Sequence, residues 1–445
     1  MFKYAFFVML ALVFFISDCA EYKPLKINNA QINKKTSQID KKALESMPNG
    51  KIILSKLEND EPLNENDIAS LALILNHTLK IERDNLQIAK AQIKNSQTIP
   101  NPSVSADTGF PIAGNILNTY NSYSIGLSYP IDWIFSHSAK VKSAVLEYEA
   151  KKLNYDFNAY QIMQDAKITA ANVYYLEQIL KQLSDKLNLY KKIYDTVKNA
   201  YSKQLVLLSD LQLAKNEYET SKLTYLDTKN LLDKQNDKLK EVLGLPLNVT
   251  LKVNFKPRYT SKLPPLKELY KNIENRLDIV AYRLAYQAQE ERTRLAFIQQ
   301  FPRVSINFPF NRDTSNVQTL GVGISIDFPI FNTNKAQIDI QKATRKKMYD
   351  EYISRIITAK FDIKRLKSDI ENIQNQLRFL NADYENNTDL LRYYNQAYRD
   401  NYINIIEFYK NSNDVIDKKI NILNLEKSLY SMQIALEIAS AKKIN

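Results

Sequence analysis

The chain has no glycine or proline between Ile131 and Leu243, nor between Ile330 and Asn445. These two residue types most readily end a helix, so each half carries a very long stretch with nothing to stop it. Long helices are the expected outcome. Neither stretch holds an apolar run of the ~18 residues needed to cross a bilayer as a single helix, so the apolar faces must meet one another. Leu176, Leu180, Leu183, Leu187, Tyr190, Tyr194, Val197 and Tyr201 alternate spacings of four and three. Leu211, Ala214, Tyr218, Ser221, Tyr225, Thr228, Leu232, Gln235, Leu239 and Val242 keep the same register. That is a heptad seam. The polar members of the second series point to shallow packing around a hollow cylinder, with an ordinary coiled coil as the alternative.

The chain also repeats itself. Pro102-Ser-Val-Ser105 matches Pro302-Arg-Val-Ser305, and Pro130-Ile131 followed by Ala144 matches Pro329-Ile330 followed by Ala343 at equal spacing. Ala200-Tyr201 and Asp210-Leu211 match Ala397-Tyr398 and Glu407-Phe408, again at equal spacing. Residues 64–250 and 266–445 therefore share one plan, joined by a linker at 251–265: helix, two strands, long helix, turn near Gln204 or Asn401, returning helix. At ~1.5 Å per residue the outgoing helices run ~100 Å, whereas each return covers ~57 Å and each preceding helix ~50 Å. A preceding helix stacked on a return helix fills the same height, which makes each half a strand hairpin on a tall two-layer column.

The strands are expected near 102–110, 122–131, 302–311 and 319–330. Tyr123, Ile125, Leu127 and Tyr129 alternate with Ser122, Ser124, Gly126 and Ser128, and the second half alternates in the same way. Segments of about ten residues, apolar on one side and small or polar on the other, have the length and pattern of membrane-barrel strands. A soluble half-buried sheet has the same pattern, but a column of ~100 Å helices favours the membrane. Four strands cannot close a barrel, since the smallest need about eight, and an open edge in lipid leaves backbone groups unpaired. Several copies must share one wall.

Lys3 followed by the apolar run Tyr4–Ile16 reads as a secretion signal over residues 1–19, with an extended segment over 20–63. Cys19, the single cysteine, is either a lipid-acylated first residue or part of a discarded cleavage region. It excludes a disulfide within one subunit. The net charge of +12 is spread along helix faces among nearly as many acids, which argues against a nucleic-acid partner. The residues carry no sign of an enzyme: the two histidines, His77 and His137, lie far apart and read as surface or cap residues. No nucleophile–base pair, phosphate loop, metal set or cofactor motif is visible.

The chain resembles the TolC-type outer-membrane factors from about 64 to 438. Leu243-Gly244-Leu245-Pro246 ends the first return helix as in that family, and Arg276-Leu-Asp-Ile279 is similar to its Arg-Pro-Asp-Leu/Ile signature. Gly323-Ile-Ser-Ile-Asp-Phe-Pro-Ile-Phe-Asn332 with Asn334-Lys-Ala336 resembles the heavy-metal (cobalt-zinc-cadmium) efflux branch, with Ala336 in place of its glycine. The resemblance implies a mostly α, internally duplicated chain whose homotrimer forms a twelve-stranded β-barrel in the outer membrane on a helical coiled-coil barrel in the periplasm. It implies an exit duct for metal cations or drugs, docked to a periplasmic adaptor and an inner-membrane pump of resistance-nodulation-division type. The alternatives are the duct of a type I protein secretion system and, from a different class, a periplasmic coiled-coil scaffold. It further implies that Asp210 and Glu407 form a carboxylate constriction, that Tyr398 hydrogen-bonds to Asp210 to hold the tunnel shut, and that Lys410 replaces a second family acid. Gln204, Leu205, Leu208, Asn401, Tyr402 and Ile405 are then the turn positions that meet the adaptor.

Overall fold

The computed structural model describes residues 22–114, 116–400, 402 and 405–444. Among the described residues there are seventeen named elements. In the first half, α1 (Asn29–Ser37), α2 (Lys41–Glu45) and α3 (Gly50–Glu58) precede α4 (Glu65–Leu75) and α5 (His77–Gln97). β1 (Ser103–Gly109), β2 (Ser122–Pro130), α6 (Trp133–Ser202) and α7 (Leu208–Leu243) follow. In the second half come α8 (Leu266–Tyr270), a 3-10 turn (Ile273–Asn275), α9 (Leu277–Ile298), β3 (Arg303–Arg312), β4 (Gln318–Leu320), β5 (Gly323–Asp327), α10 (Lys335–Arg399) and α11 (Ile405–Ser440).

The uninterrupted stretches do become the long helices. α6 has 70 residues and α10 has 65, which at ~1.5 Å per residue gives about 105 and 98 Å. Both returns have 36 residues. Every member of the two heptad seams is buried or half-buried except Tyr201. Tyr194 and Tyr218, one from each seam, stack with ring centroids 5.9 Å apart and planes 4° from parallel.

The halves are not separate bodies. α6 packs on α7 within its own half and on α9 and α11 of the other. Ile179 and Leu183 on α6 share a core with Leu423 on α11, and the Lys186 ammonium donates to Asp417 Oδ1 at 2.7 Å.

Three features differ from the sequence reading. The helices before the strands are broken rather than single. At Asn76 the side-chain oxygen accepts from the Leu79 N–H at 3.2 Å, and its amide donates to the Val242 carbonyl at 2.9 Å. One side chain thus caps a new helix and receives the end of α7. Second, residues 29–58 are helical where an extended segment was expected. Leu44, Ile53, Leu54 and Leu57 enter the core formed by Ile68, Leu71, Leu75, Ala166, Ala170, Leu239 and Leu243, and burying four large apolar side chains offsets the cost of ordering α2 and α3, whereas α1 buries none of its residues.

Third, the last strand, expected over 319–330, is two pieces and ends at Asp327. β4 and β5 keep a common register against β3, as the pairs Phe310↔Leu320 and Asn307↔Gly323 show. Between them Gly321 donates its N–H to the Pro309 carbonyl at 2.9 Å. Proline has no N–H to return, so the ladder lapses there.

The sheet runs β1-β2-β3 and then β4 with β5, all antiparallel. No helix packs substantially on either of its faces. Val104, Leu320, Val322, Ile324 and Phe328 are each more than two-thirds exposed. Among the described residues, the sheet is therefore not covered by the helices of its own chain.

Candidate functional site: the helical turns and the membrane face

At the first turn, α6 closes with two backbone bonds, Gln204 N–H to the Tyr201 carbonyl at 2.9 Å and Leu205 N–H to the Ala200 carbonyl at 3.0 Å. Gln204 takes a left-handed φ of 59°, the conformation that such a cap demands and that glycine adopts at least cost. The second turn repeats the long bond: Tyr402 N–H donates to the Ala397 carbonyl at 2.8 Å. Duplication thus extends to the geometry of the tips.

α7 opens with Asp210 in its first turn, where Oδ2 accepts the Leu207 N–H at 3.0 Å. The carboxylate satisfies a donor that no helical carbonyl reaches and sits favourably at the helix N-terminus. This capping role was missed in the sequence, although an acid two residues into a helix signals it. Glu407 occupies the first turn of α11 and is exposed, as is Lys410. Leu205, Leu208 and Tyr402 are 72%, 54% and 83% exposed, and Leu207, not singled out from sequence, is 71% exposed. Cys19 with the signal segment, Asn401, and the side chains of Tyr398 and Ile405 lie outside the described residues, so the expected Asp210–Tyr398 contact does as well.

His77 opens α5 and is exposed, while His137 sets the edge of its ring against Trp133 at 5.3 Å. Among the described residues no cluster of His, Cys, Asp and Glu could hold a metal ion, and no helix is long and apolar enough to cross a membrane. The sheet is amphipathic. Its register puts Val104, Leu127 and Phe308 in one row on one face, with Ile125, Phe310 and Leu320 in the row beside it. The opposite face carries Ser105, Ser124, Gly126, Ser128, Asn307 and Ser325. An apolar outside and a small, polar inside is the arrangement of a water-filled barrel wall.

No curated protein sequence matches the chain significantly. Solved structures do. The Campylobacter jejuni CmeC outer membrane channel aligns with a TM-score of 0.72 and 17% identity over 95% of this chain and 94% of that one. VceC, an outer membrane protein of Vibrio cholerae, gives 0.69 and 15% over 86% and 97%, and the open state of the Neisseria gonorrhoeae MtrE outer membrane channel gives 0.67 and 17% over 84% and 88%. At these identities the likeness shows the fold. The family model for outer membrane efflux proteins matches residues 68–245 and 269–441, one segment in each half. The chain belongs to the outer membrane efflux protein family, located in the outer membrane with its helical columns in the periplasm.

Proposed function

We propose that three copies form a passive exit duct, closing one twelve-stranded barrel above a continuous helical tunnel. The observation that carries this reading is a sheet whose apolar face is exposed and whose edges, β1 on one side and β4 with β5 on the other, are unpaired within the chain. In lipid such edges are tolerated only when the next copy pairs with them. The tunnel conducts solutes that an inner-membrane pump of resistance-nodulation-division type delivers through a periplasmic adaptor; metal cations and drugs are the cargo classes in view.

The turns are the natural meeting point with the adaptor. Leu205, Leu208 and Tyr402 offer exposed apolar contacts there, with Gln204, Asn401 and Ile405 beside them in sequence. Repeated around a threefold axis, Asp210 and Glu407 place carboxylates at the narrow end, a field that favours cations and that Lys410 softens. In the resting state Tyr398 holds Asp210, and docking of the adaptor splays the turns apart.

The experiment is conductance of the purified protein in planar bilayers, together with its mass in detergent. A trimer with low resting conductance that rises in Asp210→Ala/Tyr398→Phe supports the duct and its latch. Unchanged conductance in that double variant removes the latch, and a stable monomer in detergent removes the shared barrel. Sensitivity of a deletion strain to metals or drugs, as against loss of a secreted protein, separates efflux from type I secretion.

A further inference from the structure

The lipid-side face of the sheet has one row that is not apolar. It lies at the end of the strands away from the helices and runs Thr108, Tyr123, Arg312, Gln318 across the four neighbouring strands. Below it the face is Ala106, Ile125, Phe310 and Leu320, then Val104, Leu127 and Phe308. Arg312 stands about 26 Å along β3 from Val304, at ~3.3 Å per residue. On a strand tilted by ~40° that is a rise of about 20 Å, most of the height of a barrel's apolar band, ~25 Å. The guanidinium therefore marks the outer interface of the membrane.

Its surroundings hold a charge without neutralising it. Arg312 lies over the Tyr120 ring at 5.1 Å and the Tyr123 ring at 5.6 Å, so two aromatic faces fix the plane of the fork. Its Nε is buried with no hydrogen-bond partner, and among the described residues it makes no ion pair. The nearest acid in sequence, Asp313, is spent on its own turn, accepting from the N–H groups of Ser315 and Val317. The loop above is tied down by the Tyr120 N–H, which donates to the Thr314 carbonyl at 2.9 Å. A pre-set guanidinium fork with spare donors, above rows of exposed Leu320 and Leu127, matches an amphiphile with an anionic phosphate head and several acyl chains.

We propose that Arg312, clamped between Tyr120 and Tyr123, binds the phosphate of a phosphorylated glycolipid in the outer leaflet and sets the depth of the barrel. The inference rests on the barrel reading of the sheet and goes beyond it by naming a lipid site. The ligand enters along the lipid face, its chains lying against the Phe310–Leu320 and Leu127–Phe308 rows. Arginine can grip two phosphate oxygens at once, whereas lysine offers a point charge.

The test uses the full chain purified in detergent and placed in phosphatidylcholine nanodiscs, with native mass spectrometry reading retained lipid. Diphosphoryl lipid A, its dephosphorylated counterpart and inorganic phosphate are the probes. Wild type is expected to retain the diphosphoryl lipid about tenfold better than the dephosphorylated one, as one or two charge-assisted hydrogen bonds provide, and millimolar inorganic phosphate should not displace it. Arg312→Gln should abolish the preference and Arg312→Lys should keep only part of it. If Arg312→Gln fails to assemble, Arg312→Lys with undiminished preference overturns the proposal. Equal retention of both lipids by wild type, or displacement by inorganic phosphate, overturns it too. A protein that enters no nanodisc at all counts instead against the barrel.

Discussion

The guanidinium of Arg276 grips the carboxylate of Asp278 with two parallel hydrogen bonds, Nε to Oδ1 at 3.0 Å and Nη2 to Oδ2 at 2.8 Å. Its remaining arm donates to the Ala439 carbonyl at 3.0 Å at the end of α11, and its flat face lies over Phe157 of α6 at 5.8 Å. This motif, identified in the sequence only by resemblance, fastens the start of α9 to helices of both halves. Asp278 is almost fully buried, so removing it strands the half-buried cation. We expect Asp278→Ala to lower stability by about 3 kcal/mol. Thermal or urea unfolding of the assembled protein in detergent checks this, and a loss under 1 kcal/mol would show that the clamp is ornamental.

Gly244 ends α7 with a left-handed φ of 67°, donating its N–H to the Glu241 carbonyl at 3.0 Å. A Cβ at this position would lie 2.2 Å from the Leu75 carbonyl oxygen. That oxygen belongs to backbone held at the Asn76 break, so it has little room to move. The family-like Leu-Gly-Leu-Pro is thus a docking joint as well as a helix stop. Gly244→Ala should cost well above the ~1 kcal/mol of left-handed strain alone. The yield of assembled protein at two growth temperatures reads this out, and near-wild-type yield at both would refute it.

How much of this was legible follows from what the sequence can encode locally. The seams from Leu176 to Val242 and the alternation from Ser122 to Tyr129 were readable because each residue's face is set by a fixed period. The breaks were not. Asn76 in α4–α5 sits in an unbroken apolar pattern, and its capping value depends on the carbonyl of Val242, more than 160 residues away. The short helices around Leu44 and Ile53 have too little periodicity to register, and tertiary burial alone makes them fold. Pro309 announced itself as a proline, but only its pairing with Gly321 shows where the ladder lapses. At the turns Asp210 was marked by repeat spacing, and by resemblance as a constriction residue, while its local capping bond was overlooked, because a proposed carboxylate ring and a helix cap draw on the same residue type.

The turn offers a gain-of-stability test. Gln204 holds a left-handed backbone with a full side chain, at a cost that glycine avoids in the folded state and partly repays in the unfolded one. Gln204→Gly is therefore expected to stabilise the turn by about 0.5–1 kcal/mol. Slower tryptic cleavage after Lys203 would register it. Faster cleavage would mean that the Gln204 side chain, not the backbone conformation, secures the turn.

Acid should release the N-terminal helices before it unfolds the columns. Burial pushes the Asp40 carboxyl up, but the Ala43 N–H at 3.2 Å and the Lys80 ammonium at 3.1 Å outweigh it, holding the group below its ordinary 3.8. For a carboxylate lowered in the folded state, the stabilisation is complete above the unfolded value. It is lost as pH falls through the folded one. The Asp40–Lys80 tie from α2 to α5 therefore persists at neutral pH and fails only in strong acid, below pH 3.8. Both side chains are partly exposed, so salt screens the tie and its loss loosens the segment rather than the core. Hydrogen exchange of residues 41–58 is the measurement. Protection, taken against the intrinsic exchange rate at each pH, should fall below that pH in wild type, whereas Asp40→Asn should be less protected already at pH 7 and respond less to acid. If acid speeds exchange equally in the two proteins, Asp40 does not govern the segment.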